Sequence, residues 1–315
     1  MRKAFLFKSI FVGLFVCLFV SSYSQKQKVW IDADTGNEID DVYAIIRLLN
    51  EPAVSLVGIS SAHFNNPDLL VFEKWNQYQT AGISSIDISQ QLNEEIVREM
   101  GRTDVLCVKG ADRQIGRAWG GFEPRNSEAV TKLVDFIKSM KPGEKLDIIS
   151  LGAMTNLASA IILHPEIIPN IRCYLLGAQY DALTGAWNKN EFNIRNDLNA
   201  FDYLLNKDGI DITIMPITTA LPYIFRKNET FSRLQKDIPS HRLLKNRWEE
   251  TESGSKQRVM WDLALVEAYL KPGNIKIENL PVPPENGNRK VKVYISIEAD
   301  ALFDDFWRYI DKEIN

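Results

Sequence analysis

The stretch Val29-Trp30-Ile31-Asp32-Ala33-Asp34-Thr35-Gly36-Asn37-Glu38-Ile39-Asp40-Asp41-Val42-Tyr43-Ala44-Ile45-Ile46 sets the reading of the whole chain. It opens with a short apolar run of the kind that forms a buried strand. From Val42 onward the apolar residues recur with helical period. Between strand and helix stand Asp32, Asp34, Glu38, Asp40 and Asp41. Alternation along a strand turns Asp32 and Asp34 to the same side. The Thr35-Gly36-Asn37 turn then brings Asp40 and Asp41 back towards them at the helix start. Carboxylates this close repel one another unless a cation lies among them or some take up protons. Oxygen donors of this kind suit Ca²⁺ or Mg²⁺ rather than zinc. Capping and the helix dipole alone would explain Asp40 and Asp41, but not Asp32 and Asp34. In open parallel sheets ligands bind beyond the carboxyl ends of the strands, where this cluster falls. A metal site is the reading adopted.

Upstream, a basic start (Arg2, Lys3) is followed by a nearly unbroken apolar run from Ile10 to Val20 and by Ser22-Tyr23-Ser24. This pattern predicts a secretory signal over residues 1–24, cleaved after Ser24, and an exported, periplasmic or secreted protein. The run is shorter than the roughly 20 residues of a membrane span; a retained N-terminal anchor is the alternative. Removal of the leader takes away Arg2, Lys3 and Lys8. The remainder then holds 34 Lys and Arg against 41 Asp and Glu, a net charge near −7. With no Lys/Arg block, that balance excludes a nucleic-acid polymer as partner. Cys107 and Cys173, in apolar runs, read as buried thiols rather than a disulfide framework.

Downstream, strand and helix patterns alternate. Strands are predicted at Val54–Ser61, Val105–Val108, Leu146–Leu151, Cys173–Gly177, Ile212–Pro216 and Val291–Ile297, the last at an edge. Helices are predicted at Val42–Leu49, Val130–Met140 and Ala301–Ile310. Strands separated by helices of about a dozen residues imply parallel pairing with crossovers. The expected fold is α/β, an open, mostly parallel sheet flanked by helices, in one domain over residues 25–315.

Several other stretches carry polar groups at strand ends. Ala62-His63-Phe64-Asn65-Asn66-Pro67 follows the second strand and reads either as a site or as a helix cap before proline. Gly116-Arg117-Ala118-Trp119-Gly120-Gly121-Phe122 reads as a flap over the site or as a turn with a surface tryptophan. Gly152-Ala153-Met154-Thr155-Asn156 closes a strand and caps a helix. A long loop, Ala178 to Asn190, leads to Glu191-Phe192-Asn193, whose carboxylate and amide suit a polyol. Arg242 to Arg247 reads as a solvated helix face. In Arg258-Val259-Met260-Trp261-Asp262-Leu263-Ala264-Leu265, Asp262 sits in a buried helix's first turn with no adjacent cation and needs a partner.

Four of these motifs together, in this order, resemble the nucleoside hydrolases: the opening Asp-x-Asp-…-Gly-…-Asp-Asp, Gly-x-x-Thr-Asn-x-Ala, Glu-Phe-Asn, and the late Trp-Asp. The resemblance covers Val29 to Leu270. It implies the family's Rossmann-like fold and hydrolysis of the N-glycosidic bond of ribonucleosides, with Ca²⁺ as cofactor. By that resemblance Asp34, Asp41, the Thr155 carbonyl and Asp262 hold the ion, and Asp32 steadies the cluster from behind. Asp34 is the general base and Asp40 grips the 2′-hydroxyl. Asn65, Glu191 and Asn193 bind the ribose. Gly185 stands near the place of a further ribose-binding Asn, so either Asn188 or Asn190 substitutes for it or the contact is lost. Where many members carry His, this chain has Trp261, as in the purine-preferring branch. Trp261, with Trp119, is expected to stack on a purine, and His63 is an alternative acid for the leaving base. The chain departs from the family spacing between Gly36 and Asp40, where Asn37-Glu38-Ile39 adds residues. The expected partner is a nucleoside, and a homo-oligomer is expected. The alternatives are an exported nucleoside- or sugar-binding protein without catalysis, and a hydrolase of another N-riboside such as nicotinamide riboside.

Overall fold

Strand β1 (Gln27–Ala33) runs through the interior of an eight-stranded sheet in the computed structural model, which describes residues 26–64 and 83–311. The elements that follow in the first half are α1 (Asp40–Leu49), β2 (Val54–Ser61), α2 (Ser85–Glu99), β3 (Leu106–Val108) and α3 (Glu128–Ser139). Next come β4 (Leu146–Ser150), α4 (Thr155–Leu163), β5 (Ile171–Leu176), β6 (Gln179–Asp181) and β7 (Ala186–Asn188). Then follow α5 (Phe192–Asn196), α6 (Leu198–Asn206), β8 (Ile212–Met215), α7 (Ile217–Ala220), β9 (Ile224–Arg226) and α8 (Lys227–Arg233). The chain closes with α9 (Pro239–Glu252), β10 (Gln257–Val259), α10 (Trp261–Leu270), β11 (Ile275–Pro281), β12 (Lys290–Ile297) and α11 (Ala299–Ile310).

The strand order is β11-β12-β8-β5-β4-β1-β2-β3, and every pair is parallel except β11 with β12. Both faces of the sheet are covered, so its central strands are mostly apolar, with Asp32 of β1 and Asp147 of β4 among the buried exceptions. Val29 and Ile31 point into the layer formed with α1, α10 and α11, while Trp30 points into the layer of α3, α4 and α6. Trp30 is wholly buried, and its indole lies where a Cβ on Gly58 would have to be. Its Nε1 donates to Ser60 Oγ at 3.0 Å, which ties β1 to β2. From β1 the chain builds outward to β2 and β3, then returns to β4 on the other side. The switch point between β1 and β4 opens a crevice at the carboxyl ends of these strands.

Three expectations are corrected. Val291–Ile297 is not at an edge: β12 lies between β8 and β11, and β11 escaped notice because it is largely exposed and weakly alternating. The loop after β5 contains the antiparallel pair β6/β7. The helix around Arg242–Arg247 is not merely a solvated face, since Arg247 reaches back to the acidic turn. Among the described residues, no helix is long and apolar enough to cross a membrane.

Candidate functional site

The crevice is lined by Asp34, Asn37, Glu38, Asp40, Asp41 and Asp262 on its acidic side. Facing them are Leu151, Leu176, Glu191, Phe192, Asn193, Ile217 and Trp261, around about 540 Å³ of space that includes its open mouth. Residues more than 200 positions apart therefore share one wall, and two helix starts explain how. Asp40 is the first residue of α1, and its Oδ2 accepts the Asp262 backbone N–H at 3.0 Å; the Trp261 N–H also points to it. A carboxylate from one helix thus caps the next. That contact sets Asp41 beside Asp262, with their carboxyl groups within hydrogen-bonding reach of each other.

The turn before α1 is held from three sides. The Asn37 N–H returns to the Asp34 carbonyl at 2.8 Å. Thr35 Oγ1 donates to Asn93 Oδ1 on α2 at 2.6 Å. Arg247 on α9 donates to the Glu38 and Thr35 carbonyls at 2.8–3.0 Å. A Cβ at Gly152, just past β4, would come within 2.9 Å of the Asp34 carboxyl, so only glycine leaves that space.

Across the crevice, Glu191 caps α5 by accepting the backbone N–H groups of Asn193 and Ile194, each at 3.1 Å. It also takes the N–H of Ala178, which sits at φ 60°, a costly conformation for a residue with a Cβ. Gly177 makes the close approach possible, since a Cβ there would meet Ile194 and the Glu191 carboxylate. Asn193 Nδ2 donates to the Leu151 and Leu176 carbonyls at 2.5 and 3.4 Å, clamping the ends of β4 and β5.

Burial is the main electrostatic fact. It raises the carboxyl pKa values of Asp34, Asp40, Asp41 and Asp262, and the charges of neighbouring carboxylates add to this for Asp34, Asp41 and Asp262. Glu38 is pushed up to about 7 by burial and by Asp40, against the opposing pull of Arg258. Behind the cluster, Asp32 is raised to about 6 by burial and accepts hydrogen bonds from Ser60 and Asn156. It does not touch the cavity.

Among the described residues, no three acidic, histidine or cysteine side chains are already converged as a metal's ligands would be. The donor set nevertheless fits a hard divalent cation. Asp40 Oδ1 and Asp41 Oδ1 are buried without a hydrogen-bond partner. Five carboxylates share one wall, and a buried carboxylate cluster needs protons or a cation.

The sequence-predicted residues divide clearly. Asp34, Asp40, Asp41, Glu191, Asn193, Trp261 and Asp262 meet in the crevice. Thr155 does not. As first residue of α4 it is wholly buried, with its hydroxyl donating to Asp197 at 2.5 Å and lying 2.9 Å from His63 Nε2. The residue of that segment facing the crevice is Leu151, at the strand end four positions earlier. His63 likewise turns away from the crevice towards Thr155, and burial lowers its pKa to about 4. Trp119 is 82% exposed, beside Arg117, and does not line the crevice. Asn188 and Asn190 are exposed and serve the loop: Asn188 Oδ1 accepts the Asn190 N–H, and Asn190 Oδ1 accepts from Arg195. Asn65 lies outside the described residues. Sequence reasoning missed Leu151, Asn37 and Glu38 as cavity residues, although Glu38 stood within the opening acidic motif.

An open parallel sheet with an acidic crevice at its switch point defines a doubly wound α/β protein whose site is built from strand ends and helix starts. The chain belongs to the inosine-uridine preferring nucleoside hydrolase family, whose sequence model matches residues 29–304. It is 30% identical to probable uridine nucleosidase 2 of Arabidopsis thaliana over 209 residues, 62% of each chain. It is 26% identical to the pyrimidine-specific ribonucleoside hydrolase RihB of Escherichia coli over 209 residues, 62% of this chain and 63% of that one. The chain spans a little over three fifths of the length of these curated relatives, 62% and 63%. Among solved structures, an inosine-guanosine nucleoside hydrolase superposes with a TM-score of 0.72 at 15% identity, covering 92% of this chain and all of that one (100%). A purine-preferring ribonucleoside hydrolase from Gardnerella vaginalis gives 0.60 at 20% identity, covering 90% and 98%. At such identities the likeness is one of fold.

Proposed function

We propose that this protein hydrolyses the N-glycosidic bond of ribonucleosides, with Ca²⁺ as cofactor and purine nucleosides preferred, outside the cytoplasm. The observation that carries this reading is the meeting of Asp34, Asp40, Asp41 and Asp262 with Glu191 and Asn193 in one crevice. Carboxylates and amides facing one another suit the hydroxyls of a pentose, each of which can donate and accept. Family membership supports the reaction class.

Asp34, Asp41 and Asp262 would hold the cation through their carboxylates, with the Leu151 carbonyl in place of that of Thr155. A bound divalent ion would supply Lewis acidity towards a water and the sugar hydroxyls. Asp34, itself one of the residues that would hold the ion, takes the proton of the attacking water, since its carboxylate lines the crevice beside the place such a water would occupy. Asp40 has one oxygen engaged by the start of α10 and the other, Oδ1, available to a sugar hydroxyl. Glu191 and Asn193 hold the opposite side of the sugar. Their own backbone and strand-end hydrogen bonds keep them in place when the site is empty of substrate. Attack by water opposite the leaving base resembles inverting glycoside hydrolysis.

The purine preference rests on Trp261, which offers an aromatic face in the crevice beside Phe192 and Ile217. None of the three histidines of the chain lines the crevice, so no imidazole stands ready to protonate the leaving base. The test is release of free ribose from a panel of purine and pyrimidine ribonucleosides, with Ca²⁺ and with chelator. Ca²⁺-dependent release, faster from inosine or guanosine than from uridine, is expected. No release from any nucleoside would leave the non-catalytic binding reading, or hydrolysis of another N-riboside such as nicotinamide riboside, in its place.

A further inference from the structure

The residues between Gly36 and Asp40 add more than length to the opening motif. They bring Glu38 into the crevice, on the same lining as Trp261. Arg258 joins the two: it is ion-paired to Glu38, lies 3.1 Å from Glu252 and places its guanidinium carbon 5.6 Å from the Trp261 ring centre. Strand β10 carries Arg258 and runs directly into α10, so carboxylate, guanidinium and indole are held on one short segment and the turn it touches. The Glu38 main chain is fixed as well, by two hydrogen bonds from Arg247. Arg258 engages one carboxylate oxygen, Oε2, which leaves Oε1 to accept from a ligand. The side chain is 30% exposed, in keeping with a group at the mouth of the crevice rather than in its floor.

We infer that Glu38 is a specificity-determining residue that accepts a ring N–H from the base of the bound nucleoside, while Trp261 covers the ring's face. This rests on the proposed nucleoside hydrolysis. The four aspartates are matched to the cation and the sugar and Glu191 and Asn193 to the sugar, and Glu38, the charged side chain left on the lining with the indole, is acceptor-only when ionised. A carboxylate there favours bases with a ring N–H at the edge, as in hypoxanthine, guanine and uracil. It disfavours bases that present a bare ring nitrogen there, as adenine and cytosine do. The selection cuts across ring size.

The test compares inosine with 1-methylinosine, and uridine with 3-methyluridine, in the wild type and in Glu38→Ala and Glu38→Gln. Each methyl group replaces the ring N–H, and the bulk it adds is the same for wild type and variants. A hydrogen bond to a charged group predicts a wild-type kcat/KM ratio of at least about tenfold in favour of the unmethylated substrate. In Glu38→Ala the ratio falls to within about twofold, and in Glu38→Gln it lies between. Because each ratio is measured within one sample, a partly unfolded variant does not distort it. If Glu38→Ala does not fold, Glu38→Gln carries the test. A ratio equal in wild type and variants overturns the role of Glu38 and leaves nucleoside hydrolysis standing. A wild type that releases no ribose from either parent nucleoside overturns the underlying reading instead.

Discussion

Helices α1 and α10 pack together and bury polar groups at both of their ends, with opposite solutions. At the end away from the crevice, Arg47 of α1 is wholly buried and meets Glu51 at 2.9 Å, Glu267 of α10 at 2.8 Å and Asp305 of α11 at 2.8 Å. Lys271 adds a second cation at 3.2 Å from Asp305, and the Tyr309 ring covers the guanidinium at 4.1 Å. At the crevice end the same two helices contribute Asp40, Asp41 and Asp262, just as deeply buried. There Arg247 and Arg258 act on the aspartates only through space, and carboxylate oxygens remain without partners. One cluster carries its cations within the chain and fastens three helices. The other is short of positive charge, and protons or a bound cation must make up the difference. Buried polar clusters of similar composition can therefore be told apart by whether the chain supplies its own counter-charge.

The comparison is broken most severely at the crevice end. Asp41→Asn or Asp262→Asn is expected to lower ribose release by about a thousandfold or more, the scale of losing a metal's contribution to catalysis. Melting temperature in chelator should not fall, since each change removes one of several mutually repelling carboxylates. A large loss of stability with activity retained would reverse the assignment of the two clusters. At the far end, Arg47→Met should destabilise the fold by about 3–5 kcal/mol in urea unfolding, because it strands three buried carboxylates. KM of the folded fraction should not move, as Arg47 is remote from the crevice.

Ca²⁺ sharpens the contrast. At a concentration about a hundredfold above its Kd it should add about 2.7 kcal/mol to stability. Arg47→Met should gain as much as the wild type, and Asp262→Asn should gain much less. A further contrast comes from pH. Burial raises Asp41 to about 8 and Glu267 to about 7, above their ordinary values of 3.8 and 4.5. The folded state therefore binds more protons than the unfolded state in that range. In chelator, the stability these groups contribute is full below about pH 4 and is lost as pH rises through 7 and 8. Ca²⁺ should remove the share of that slope due to Asp41 and leave the share due to Glu267.

Much of this was legible in the sequence because local patterns carried it. The strand-turn-helix around Asp34 and Asp41 is written in eighteen consecutive residues. Asp262 announced itself as a carboxylate in an apolar helix with no adjacent cation. What failed depended on contacts between distant positions. Thr155 and Leu151 belong to one segment, and only the fold decides which faces the crevice; the helix start turns Thr155 towards Asp197. Arg247 looked like solvated charge because its partners lie 209 and 212 positions earlier. Trp119 was expected to stack on the base and Asn188 to replace a family asparagine, and both are exposed and absent from the crevice lining. Glu38 was visible as a charge but not as a wall of the cavity, because Arg258 is 220 positions away.

The most direct measurement is a calorimetric titration of Ca²⁺ into metal-stripped wild-type protein and into Asp41→Asn, in two buffers of different protonation enthalpy. One ion bound per chain is predicted, with protons released near pH 7 as the raised carboxyls give way to the cation, and with binding at least tenfold weaker in Asp41→Asn. Wild-type protein that binds no Ca²⁺, or binds it equally well in the variant without proton release, would contradict the account.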